Sequence, residues 1–139
     1  MILGFSGPDR PMSVKQYLAL QILFQRHLEV LHHGDCVGCD DQAHAIAISL
    51  GKKVEIHPPI NPHARAWCQG PNVKIHQPKP YLKRNWDIAK SCEFLVATPP
   101  GPEVIRGVGG GTWSTIRYAR KLRRPRWIIN LDGTITVEG

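Results

Sequence analysis

No apolar run in the chain approaches the roughly 18 residues that a membrane-spanning helix requires. No basic leader or small-residue cleavage site marks Met1-Ile2-Leu3-Gly4-Phe5, which has the pattern of a first β-strand, so a cytoplasmic protein is expected. Cysteine is scarce: Cys36, Cys39, Cys68 and Cys92 make no disulfide framework in a chain with no export signal. The pair Cys36-Val37-Gly38-Cys39 has metal or redox spacing, but no second close pair completes a zinc site. These thiols are therefore assigned to loop and core, and no metal and no cofactor are expected. Acidic residues are also in deficit, 11 against 18 Lys and Arg, for a formal net charge of +7. That balance favours anionic partners. Two nucleotide motifs are missing: the glycine-lysine-serine/threonine phosphate loop, and glycines at the first, third and sixth positions after the first strand. Ordinary nucleoside triphosphatases and dehydrogenases are thereby disfavoured.

What is present is an alternation of short β-like runs and helical runs over 139 residues, enough for one domain with a real core. Strands are expected at 2–5, 30–33, 53–57, 73–76, 94–97, 126–130 and 134–137. Ser13-Val14-Lys15-Gln16 offers a capping box for a long first helix with Leu20, Leu23, Phe24, Leu28 and Leu31 at helical spacing. Further helices are expected at 41–50, 81–90 and 113–122. Residues 58–80 are rich in proline and histidine and lack periodicity, so they are expected as a long loop, a lid, a dimer contact or an irregular crossing. The expected fold class is α/β: a single doubly wound Rossmann-like domain, 1–139, with a mostly parallel central sheet.

The strongest local feature is Gly107-Val108-Gly109-Gly110-Gly111-Thr112, between a buried strand and a helix. Glycines let the backbone approach a ligand, and a helix start leaves N–H groups without partners under a dipole that favours an anion. Thr112, Ser114 and Thr115 add hydroxyls there. In parallel α/β sheets, ligands sit beyond the carboxyl ends of strands where the strand order reverses. This brings in Gly4-Phe5-Ser6-Gly7 after the first strand and Gly34 to Asp41 after the second. Asp35, Asp40 and Asp41 can hydrogen-bond ribose hydroxyls; alternatively Asp40 or Asp41 caps the following helix. The run Arg117, Arg120, Lys121, Arg123, Arg124 and Arg126 is either a solvated helix end or an anion-contacting patch.

Four blocks carry a family resemblance: Gly4-Phe5-Ser6-Gly7, His33-Gly34-Asp35-Cys36-Val37-Gly38-Cys39-Asp40, Tyr81-Leu82-Lys83-Arg84-Asn85 and Gly110-Gly111-Thr112-Trp113-Ser114-Thr115. In this order and spacing they resemble the SLOG superfamily, which includes the "lysine decarboxylase-like" LOG phosphoribohydrolases. The resemblance implies a Rossmann-like fold, a nucleotide or nucleotide-derived ligand, and a homodimer. Arg84 matches the arginine of the enzymatic members. Their catalytic glutamate falls at Thr115, and the lysine that often follows the arginine is Asn85. A threonine supplies no carboxylate to stabilise an oxocarbenium-like sugar or to activate water.

The expected function is thus a binding or sensing module for a phosphorylated nucleotide. Its ligand contacts are Gly4, Ser6, Gly7, Gly34, Asp35, Asp40, Arg84, Gly109, Gly110, Gly111, Thr112, Ser114 and Thr115. Tyr81 or Trp113 would stack on a base or pack on the sheet. A nucleoside 5'-monophosphate N-glycosidase is the first alternative, with Arg84 as a catalytic candidate and Asp35, Asp40 or Glu103 as replacement carboxylate. The second alternative is nucleic-acid binding, suggested by the charge and by a DNA-uptake family of related fold.

Overall fold

The computed structural model describes residues 1–139. The chain order is β1 (Ile2–Ser6), α1 (Val14–His27), β2 (Val30–His33), α2 (Cys39–Ser49), β3 (Lys53–Ile56), a 3-10 turn (Pro62–Ala64), β4 (Val73–Ile75), α3 (Tyr81–Ser91), β5 (Phe94–Ala97), α4 (Gly110–Lys121), β6 (Arg126–Ile129) and β7 (Ile135–Glu138). One seven-stranded sheet runs β4-β3-β2-β1-β5-β6-β7. Every neighbouring pair is parallel except β6 with β7. Strand order reverses between β1 and β5, so the chain is doubly wound.

Period-two alternation sorts the strand residues into two cores. Leu3, Phe5, Leu31, Val54, Ile56, Val96 and Ile129 pack with Leu20, Leu23 and Phe24 of α1 and Ala43, Ile46 and Ala47 of α2. Leu95, Ala97 and Ile128 pack on the other face with Ile88 and Ala89 of α3 and Trp113, Ile116 and Ala119 of α4. Adjacent residues of one strand thus serve opposite helix layers. Gly4 belongs to this logic: a Cβ there would sit 2.9 Å from the Cys92 sulfur, so the glycine admits α3 to the sheet.

Helix starts differ from the sequence expectation in an informative way. The capping box forms as read, with Gln16 N–H donating to Ser13 Oγ at 3.0 Å and Ser13 N–H to Gln16 Oε1 at 2.9 Å. By contrast α2 begins at Cys39 after Gly38 (φ 91), and no side chain caps it. Asp40 and Asp41 therefore lie inside the first turn, which corrects the capping reading. Helix α4 begins at Gly110, three residues earlier than expected, because Gly109 takes the left-handed conformation (φ 84) at its N-cap.

The stretch 58–80 is a crossing. It carries the chain from β3 to β4 and on to α3, and Asp35 pins it. The Asp35 carboxylate accepts Arg65 Nε–H at 2.7 Å and Cys68 N–H at 2.9 Å, and its carbonyl accepts Ala66 N–H at 2.7 Å.

Candidate functional site

A cavity of about 380 Å³ opens at the carboxyl ends of β1 and β5, where the strand order reverses. Gly7, Pro8, Asp9 and Arg10 form one wall, Gly107 to Gly109 with Gly111 and Thr112 the other, and Tyr81 contributes from α3. Two loops converge here because β1 and β5 are sheet neighbours, with Ser6 paired to Ala97.

Two N–H groups of the glycine loop are used internally: Gly110 N–H donates to Gly107 O and Trp113 N–H to Gly109 O, each at 3.0 Å. The N–H groups of Gly109, Gly111 and Thr112 donate to no acceptor in the protein. Thr112 is 2% exposed, and its hydroxyl also lacks a partner. So does the hydroxyl of fully buried Thr98, which crowds the cavity wall: a Cβ on Gly7 would lie 2.6 Å from it. Buried polar atoms are almost always paired. Unpaired donors gathered at a helix start are what an anion would complete.

The other expected contacts lie elsewhere. Thr115 is buried, and its hydroxyl donates to Gly111 O at 3.0 Å. Ser114 and half-buried Ser6 do not line the cavity. Trp113 packs into the second core and donates its ring N–H to Gly101 O at 3.3 Å. Glu103 is paired with Arg117 and Arg120 at the far end of α4. Arg120 and Arg126 also pair with Glu138, so much of the basic run is neutralised.

Gly34, Asp35, Asp40 and Arg84 form a buried polar cluster beside the cavity. Asp40 Oδ2 accepts Gly34 N–H at 3.2 Å and Cys36 N–H at 3.1 Å, closing the loop after β2, while Oδ1 has no partner. Burial raises the Asp40 carboxyl to about 6, against the pull of Arg84. Arg84, 2% exposed, donates from Nη1 to Gly34 O and to His57 O, from Nε to Asn85 Oδ1 and from Nη2 to Cys36 Sγ. Tyr81 lies over its guanidinium, 4.6 Å from ring centre to Cζ. Burial pushes the Cys36 thiol up to about 11 and that of Cys39 to about 12, so neither offers the thiolate a redox site needs.

Sequence reasoning missed Asp9 and Arg10, which sit in a short turn with no motif, and it missed the histidines. Asp35 N–H donates to His33 Nδ1 at 2.9 Å, which fixes the His33 proton on Nε2. That proton points to His44 Nδ1 at 2.9 Å, and His44 Nε2 donates in turn to Gln69 O at 2.7 Å. The relay leaves no ring nitrogen of either histidine without a partner. Cys68 Sγ lies nearby, yet His33 has no lone pair left for a metal ion.

On the opposite sheet face His32 Nδ1 meets His57 Nε2 at 2.8 Å. Burial depresses His57 from 6.5 to about 3, and burial with nearby His44 holds His33 well below its usual range. Both rings are neutral when folded and gain protons on unfolding, so their stabilisation is whole above about pH 6.5 and is lost as pH falls towards 3. Asp40 acts oppositely between about 4 and 6, keeping a proton that the unfolded chain releases. These two imidazoles, with His32 also lowered by burial, outweigh one carboxyl. Unfolding free energy from urea titrations should therefore drop by about 1 kcal/mol per pH unit below pH 6, and a flat profile would refute this arrangement.

No protein-family model matches the chain, and no curated protein matches it by sequence. Solved structures do resemble it. The molybdenum cofactor binding protein from the phototrophic bacterium Rippkaea orientalis superposes with a TM-score of 0.68 at 21% identity, over 93% of this chain and 76% of that one. The molybdenum cofactor carrier protein from Chlamydomonas reinhardtii gives 0.65 at 22% identity, over 91% and 74%. DNA processing protein A from Streptococcus pneumoniae gives 0.65 at 17%, over 91% of this chain and 49% of its own length. Sheet order, helix layers and these superpositions together give the chain a doubly wound Rossmann-like fold shared with these proteins.

Proposed function

We propose that the chain binds a phosphorylated nucleotide or nucleotide-derived ligand in the cavity between Gly7–Arg10 and the glycine loop. One observation carries the reading: the unpaired N–H groups of Gly109, Gly111 and Thr112, with the unpartnered Thr112 hydroxyl, gather at the start of α4. These donors would hold the phosphate, Arg10 would add charge at the mouth, and Tyr81 would flank the base or sugar. Two similar structures are of proteins described as binding or carrying molybdenum cofactor, which supports a small-molecule ligand.

Thermal and chemical unfolding with nucleoside mono- and diphosphates, cyclic nucleotides and ADP-ribose derivatives tests this. A true ligand at about a hundred times its dissociation constant stabilises the fold by about 2.7 kcal/mol. No stabilisation by any phosphorylated compound would sink the proposal.

A hydrolytic reading draws on a single observation, that Asp9 places a carboxylate on the wall of the same cavity. Its readout is release of free base from nucleoside monophosphates, abolished by Asp9→Asn.

A further inference from the structure

Helix α2 covers one face of β3, while on the other face α3 packs on β1 and β2 and leaves the β3–β4 corner open. A cavity of about 400 Å³ occupies that bare corner, between the ends of β3 and β4 and the flank of α3. Its wall carries His57, His76, Lys79, Arg84, Asp87 and Lys90, and no hydrophobic side chain lines it.

Three permanent cations face one acid. Asp87 is already committed, 2.7 Å from Lys79 and 3.5 Å from Lys83. Lys90 has no carboxylate within ion-pair distance, and neither has Arg84. Arg84 is the telling group. Its guanidinium is 2% exposed, held by two carbonyls, an amide oxygen and a sulfur, and a buried charge of this kind calls for a counter-ion. The nearest acid, Asp40, is itself pushed towards its neutral form by burial. The rings of His57 and His76 stack at 4.3 Å; Nε2 of His57 meets His32 and Nε2 of His76 meets Glu55, so each Nδ1 is left without a protein partner.

We propose that this cavity is a second anion site, taking a small organic phosphate, on the far side of the Arg84–Tyr81 stack from the glycine loop. Lys90 and the buried Arg84 charge supply the attraction. With His57 Nε2 accepting from His32, its Nδ1–H supplies a directional hydrogen bond; His76 donates Nε2–H to Glu55, so its Nδ1 accepts the hydroxyl proton of a phosphate monoanion, and the volume exceeds what a lone phosphate fills.

The test uses the full chain, with inorganic phosphate, pyrophosphate and ribose 5-phosphate as probes. Calorimetry is run beside NMR of the histidine rings and of the Gly109 and Gly111 amides. In Thr112→Val and Gly111→Val, which impair the glycine loop, one equivalent of ribose 5-phosphate should still bind and shift the His57 and His76 resonances. It should bind more tightly than inorganic phosphate, and Lys90→Glu should weaken it at least tenfold. Histidine shifts without glycine-loop shifts in the unmodified chain would establish this site independently of the glycine loop, whose function is decided by the nucleotide panel above. No histidine shift with any probe, or the same affinity in Lys90→Glu, would overturn it.

Discussion

Gly111→Val should reduce affinity for a phosphorylated ligand by more than 100-fold, about 2.7 kcal/mol. A Cβ at Gly111 would lie 2.5 Å from the Tyr81 hydroxyl and 3.0 Å from Cε1 of the same ring, so even the first added carbon displaces the tyrosine. The branched methyls then occupy the space beside one of the three free N–H groups, within a cavity of about 380 Å³. The helix itself loses nothing in propensity, since valine ranks above glycine. Gly110→Ala is the matched control. Its Cβ would meet only Ile105 O, at 3.2 Å, and Gly110 does not line the cavity, so affinity should stay within about threefold, or roughly 0.6 kcal/mol. Calorimetry on the two variants separates the outcomes, and full affinity in Gly111→Val would reduce the loop to a connector.

The contrast between these neighbouring glycines shows what a sequence conveys and what it withholds. Periodicity marked the alternating strands and both helix layers, because burial on a sheet face or helix stripe imposes a repeat that short-range pattern records. Gly107 to Thr112 stood out for the same local reason, and every residue of that run except Gly110 lines the cavity. Nothing local, however, says that Gly110 N–H closes a turn on Gly107 O while Gly111 N–H stays open. Thr115 looked equivalent to Thr112, yet one hydroxyl turns back on the helix and the other is left unpaired in the cavity wall. Asp9 and Arg10 reach the cavity only because β1 and β5 are neighbours, a pairing between residues about 90 positions apart. The histidines stayed silent because each finds its partner on a different element. Asp35 is the sharpest case, since a ribose contact was expected and both of its carboxylate oxygens are already engaged.

Asp35→Ala should therefore cost stability rather than selectivity, on the order of 3–5 kcal/mol in urea unfolding. Asp35 is fully buried and its 2.7 Å ion pair is with Arg65, whose side chain is 9% exposed. Removing the carboxylate leaves that guanidinium and the Cys68 N–H without acceptors, and it unpins the crossing from β3 to β4. The backbone adds to the penalty: Asp35 has φ 59, a left-handed conformation that aspartate tolerates better than alanine does. Arg65 lies 3.8 Å over the Trp67 ring, which keeps it in place even when its partner is lost, so relief by swinging into solvent is limited. Asp35→Asn retains an acceptor for Cys68 and the local conformation, and it should lose about half as much. At a temperature where both variants stay folded, their affinity for a phosphorylated ligand should match that of the unmodified chain. Equal stability in Asp35→Ala with weakened preference for ribonucleotides would restore the ribose contact and remove the pin.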